Sequence, residues 1–110
     1  MRLLDLEPQF LKITQPDSWS HVGTPGESDG IIFLCPVCFV ANKGPIGTHS
    51  IICWKPNVPK TQTPGPGRWS MTGNGYADLS LVAGSSSVFL TSEGGCKAHF
   101  FVENGQIRMA

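Results

Sequence analysis

Glycine and proline punctuate this chain so densely that long helices are excluded. The 110 residues include 13 glycines and 9 prolines, and only 15% are charged. Proline inside a helix removes a hydrogen bond and clashes with the preceding turn, while glycine there costs backbone entropy. Yet 40% of the residues are apolar, which is too many for a chain that stays unfolded. Short strands joined by turns satisfy both constraints. The expectation is a mostly β protein: a small antiparallel β-sheet domain, zinc-ribbon-like or a compact sandwich, with little helix, spanning residues 1–110 as one unit.

The pattern of side chains places the strands. Leu3, Leu6, Phe10 and Ile13 have helical spacing, but Pro8 allows at most a single turn before it, so a strand is expected at 10–14. Residues 15–30 are turn-rich, with one short strand around 19–22. Residues 31–34 are β-branched and aromatic enough for a buried strand. In the next strand, 48–55, His49, Ile51 and Cys53 share one face and Ser50, Ile52 and Trp54 the other. Residues 56–67 contain four prolines and read as an extended surface loop. Strands are expected again at 68–72, 78–82 and 86–91. Asn104-Gly105 lies between two further strand-like runs, and both residues tolerate positive φ, which is the strongest short hairpin signal.

Eight basic and eight acidic side chains cancel, which disfavours binding duplex nucleic acid through many phosphate contacts. Charges interrupt the first residues, so no signal peptide is expected. The longest apolar stretch, 31–41, contains Pro36 and is about half the ~20 residues of a membrane span. A cytoplasmic protein with no membrane partner is the expectation. In a reducing compartment, four cysteines suggest metal before disulfide.

Two clusters carry the chemistry. Cys35 and Cys38 flank Pro36-Val37, and Cys96 and His99 flank Lys97-Ala98 after Gly94-Gly95. Two pairs with equal two-residue spacing are the usual layout of a four-coordinate zinc site, with bonds of about 2.0–2.3 Å. Cys35, Cys38, Cys96 and His99 are therefore the expected ligands of a structural Zn2+, leaving no open position. Cys53 and His49 lie four apart, roughly 13 Å along an extended strand, so both cannot hold one ion. Cys53 reads as a core thiol. His49 follows Gly44-Pro45-Ile46-Gly47-Thr48 and can reach the metal from a loop.

Other chemistries lack their parts. A redox Cys-Pro-x-Cys turn needs a helix directly after its first cysteine, and residues 39–45 leave room for about one turn before the breakers. No histidine is followed two residues on by glutamate, so the acid/base of a zinc deaminase is missing. Ser85-Ser86-Ser87 forms no nucleophile elbow, and Gly44 to Thr48 lacks a phosphate-loop lysine. The aromatics Trp19, Trp54, Trp69, Tyr76, Phe89, Phe100 and Phe101 read as core, with Phe100 and Phe101 facing opposite sides of one strand.

Several segments together resemble a known family. They are Leu4-Asp5-Leu6-x-Pro8-x-Phe10, Phe33-Leu34-Cys35-Pro36-x-Cys38 and Gly44-Pro45-Ile46-Gly47-Thr48-His49-Ser50. Further on come Pro64-Gly65-Pro66-Gly67-Arg68-Trp69, Asp78-Leu79-Ser80-Leu81, Ser86-Ser87-Val88 and Gly95-Cys96-x-x-His99-Phe100-Phe101-Val102-x-Asn104-Gly105. Across nearly the whole chain they are similar to small uncharacterised proteins of bacteria, prophages and phages that share a CxxC and a late Cys-x-x-His. The resemblance implies a zinc-bound β fold and a phage accessory role. The functional expectation is a non-enzymatic, zinc-stabilised β module that binds another protein, as a phage or prophage accessory or host-interaction factor. Its surface candidates are residues 56–67 and exposed aromatics. The alternatives are a nucleic-acid-binding zinc ribbon and a zinc-dependent hydrolase with an open metal position.

Overall fold

The computed structural model describes residues 1–15, 18–59, 61–62, 68–82, 88–89 and 99–109. A single 3-10 turn, Leu3–Leu6, opens the chain and ends at Glu7, whose φ of 51° is left-handed. Pro8 then forbids further helix. Arg2 braces this turn: its backbone N–H and guanidinium both donate to the Asp5 carboxylate, which they hold below the usual carboxylate range.

Four strands follow: β1 Gln9–Gln15, β2 Ser18–Val22, β3 Gly30–Leu34 and β4 Ser50–Trp54. They form one antiparallel sheet in the order β2-β1-β3-β4. Helix α1, Pro36–Asn42, lies between β3 and β4. A two-stranded sheet pairs β5 Ser70–Thr72 with β6 Ser80–Val82, and a three-stranded sheet runs β7 Val88–Phe89, β8 His99–Glu103, β9 Gln106–Met109. The expected mostly β, antiparallel architecture is what the chain adopts.

Period-two alternation decides which side chains meet. Phe10, Ile31, Phe33, Ile51 and Cys53 share one face of the four-stranded sheet. There they join Leu3, Leu6, Leu79, Leu81, Phe100, Val102 and Ile107, so a single core ties all three sheets and the first turn together. Phe33 and Phe100 meet edge to face across it, with ring centroids 6.1 Å apart. The opposite face has its own smaller cluster of Leu11, Trp54 and Val58, flanked by Ile13, Ile32 and Ile52. Gly30 sits between Leu11 and Trp54 in the register, and a side chain there would collide with the Trp54 ring.

The strand at 48–55 is shorter than expected, β4 being Ser50–Trp54, and β5 begins at Ser70 rather than 68. Trp69 instead donates its N–H to the Trp54 carbonyl at 2.9 Å. The segment after β4 is more than a surface loop. Val58 is buried in the smaller cluster, and the Arg68 guanidinium donates to the carbonyls of Val58, Pro59 and Gln62. The β8–β9 hairpin turns at Asn104 and Gly105 with φ of 49° and 75°, as Asn-Gly predicts. Phe100 is buried, while Phe101 faces outward beneath Arg108, whose guanidinium carbon lies 4.2 Å from the ring centroid. Among the described residues, no helix is long and apolar enough to cross a membrane.

Candidate metal centre

The geometry starts from the β3–β4 ladder. Its register pairs Leu34 with Ser50, and one step further the Cys35 N–H donates to the His49 carbonyl at 2.9 Å. Cys35 and His49 thus face each other just past the end of both strands. The chain turns into α1 here because Pro36 occupies its first position, where its fixed φ suits a helix and its missing N–H is not needed. Cys35 is the N-cap, its carbonyl accepting from Phe39 N–H at 2.9 Å. Cys38 lies one turn on, and residues three apart share a helix face.

Helix α1 runs to Asn42, about two turns, where the sequence suggested room for about one. It ends when Lys43 takes a left-handed φ of 57°, letting Lys43 and Gly44 donate to the Val40 and Phe39 carbonyls at 3.2 and 3.0 Å. The return to β4 is equally tight. Thr48 donates its N–H to the Pro45 carbonyl at 3.0 Å and Gly47 has a φ of 80°, the pattern of a type II turn. The Thr48 hydroxyl donates to the Gly44 carbonyl at 2.8 Å and accepts from the Asn42 amide at 3.3 Å. His49 is delivered by this braced turn.

Together these elements bring the ligand atoms of Cys35, Cys38 and His49 within 4.8 Å of one another. Tetrahedral zinc needs its ligand atoms roughly 3.3–3.8 Å apart, so small side-chain rotations close the set. Two thiols and an imidazole suit a soft or borderline cation such as zinc. Cys35 is fully buried, Cys38 half-buried and His49 exposed, so the group opens to solvent on its histidine side.

Of the four ligands expected from sequence, Cys35 and Cys38 belong to this group. Cys96 lies outside the described residues. His99 opens β8 opposite Phe89, stacks on Phe101 with ring centroids 6.3 Å apart, and is not a member of the group. His49, which the sequence left outside the expected four but able to reach the metal from its loop, is the third member. What could have singled it out is strand pairing, since antiparallel β3 and β4 must bring the residue before β4 to the residue after β3. Cys53 is a core thiol, as expected: it is 1% exposed, and burial pushes its pKa far up.

Fold and site together define a small antiparallel β protein with a Cys2His group that could hold a metal ion at a strand-to-helix turn. Compared with known family models, curated proteins and solved structures, the chain gives no match.

Proposed function

We propose that this protein is a zinc-binding β module that works by binding another protein rather than by catalysis. The observation that carries the metal reading is the convergence of Cys35, Cys38 and His49 within 4.8 Å. Zinc is favoured among cations because thiolate and imidazole ligands together suit it, and because a β domain of this size gains much from a metal cross-link. Cys96 and His99, proposed from their spacing, are the candidates for completing the coordination. A phage or prophage accessory role is proposed on the family resemblance alone.

Support for a protein partner comes from the surface beside the group. Ile46, at the tip of the type II turn, is 90% exposed, and Val40 on α1 is 65% exposed. These two exposed apolar side chains lie on the segment from α1 to β4 that carries His49 and are the candidates for the contact.

The decisive experiment is zinc per chain in protein purified without added metal. One equivalent is expected, falling toward zero in Cys35→Ser and Cys38→Ser, with His49→Ala, Cys96→Ser and His99→Ala ranking the remaining ligands by their loss of affinity. A wild-type ratio near zero, with every thiol freely titratable, overturns the metal reading. Cross-linking in host lysate tests the partner. A saturable protein adduct lost in Ile46→Asp is expected, and an unchanged pattern removes the turn as the contact surface.

A further inference from the structure

The two cysteines of the group differ in a way that zinc binding does not require. Cys35 is fully buried, whereas Cys38, one helical turn away, is only partly buried, and their sulfurs lie within 4.8 Å of each other. Cys35 is the N-cap, with an extended backbone, and χ1 rotation swings each sulfur about its Cβ, so two sulfurs already within 4.8 Å can move toward the ~2.05 Å of an S–S bond. The third ligand, His49, is not oxidised under conditions that oxidise thiolates. The third described cysteine, Cys53, is buried in the core two strand steps beyond Ile51 relative to His49, and burial keeps it protonated.

Resting on the metal-binding reading, we infer that the Cys35–Cys38 pair is a peroxide-responsive switch that gives up the ion by forming a disulfide. The accessible Cys38 thiolate attacks a peroxide oxygen. The O–O bond breaks, Cys38 becomes a sulfenic acid, and the departing hydroxide takes a proton to become water. The Cys35 thiolate then attacks the Cys38 sulfur. An S–S bond forms as the S–O bond breaks, and the second hydroxide leaves as water with another proton. Overall, two thiolates, one hydrogen peroxide and two protons give one disulfide and two waters. Both negative charges facing the cation are lost, and the only ligand left among the described group is the imidazole of His49.

The geometry also says what should not happen. Cys35 has its backbone N–H and carbonyl committed to His49 and Phe39, so the turn holding both sulfurs need not unravel for them to join. The switch is therefore local and reversible by a dithiol reductant.

The test uses the full chain loaded with one equivalent of zinc and hydrogen peroxide as oxidant. Zinc release is followed with a chromogenic chelator, and the thiols are mapped by peptide mass after alkylation. The expected result is release of the bound zinc in step with a Cys35–Cys38 disulfide, recovered by reductant and added zinc. Cys53→Ala should release zinc at the wild-type rate and yield the same Cys35–Cys38 disulfide. If zinc loads but peroxide leaves it bound, or if the disulfide joins Cys96 or Cys53 instead, the switch is overturned while the metal site stands. Failure of the chain to load zinc at all overturns both.

Discussion

Cys53 shows what a single buried side chain does to pH dependence. Its thiol has no exposed surface to speak of, and its pKa is raised by desolvation. A group whose folded pKa lies above its unfolded value leaves stability intact below the unfolded pKa, about 8.5 for cysteine, and erodes it as pH rises beyond. Zinc-loaded protein should therefore lose melting temperature above about pH 8.5, and Cys53→Ala should flatten that decline. Thermal melts of the two proteins from pH 7 to 10 compare the slopes, and parallel curves would remove Cys53 as their cause. The same burial predicts that iodoacetamide spares Cys53 until the chain unfolds.

Among the elements, the connection from α1 to β4 matters most, because it carries His49 to the cysteines. Its type II turn relies on Gly47 at a φ of 80°, a conformation that strains any side chain. Gly47→Ala has space among the described residues, whose nearest approach is the Asn42 side chain at 3.6 Å. Its cost is thus conformational, about 1–2 kcal/mol, and any relaxation of the turn moves His49. Zinc affinity should fall severalfold while the far-UV spectrum stays unchanged, which competition with a chelator of known affinity measures. Unchanged affinity would mean that His49 is positioned by the strand ladder alone.

These elements differ in how far a reader of the sequence can see them. Ile51, Cys53 and Trp54 announce β4 and its two covered faces by alternation, and Asn104-Gly105 announces its hairpin by backbone chemistry. Helix α1 is hard to see because Val37, Phe39 and Val40 are strand-favouring residues and its only buried residue is Pro36. No apolar stripe marks its second turn, and its length is set by Pro36 at one end and left-handed Lys43 at the other. The site divides similarly. Cys35 and Cys38 are legible from local spacing, whereas His49 joins them only through the long-range pairing of β3 with β4.

At the level of the whole molecule, one core holds three small sheets, and Phe100 is where the last of them enters it. Truncating a fully buried phenylalanine usually costs about 3–5 kcal/mol, against a total margin of about 5–15 kcal/mol for a domain. Phe100→Ala should therefore lower the urea midpoint more than any surface change, and saturating zinc should restore part of the loss by mass action. Equilibrium unfolding with and without metal checks both expectations. A variant within error of wild type would mean that the β7–β8–β9 sheet contributes little to the core.

The same closure has a consequence for how the chain is made. Leu3 donates its N–H to the Gly105 carbonyl at 2.8 Å, Ile107 donates to the Met1 carbonyl at 2.7 Å, and Leu3 and Leu6 are buried among residues of the last hairpin. A ribosome adding roughly 5–20 residues per second completes residues 99–109 some seconds after residues 1–6 have left the exit tunnel. Throughout that interval the two leucines have no final resting place, and the nascent chain carries them uncovered. Folding of this core therefore waits for the β8–β9 hairpin to close down over the Leu3–Leu6 turn.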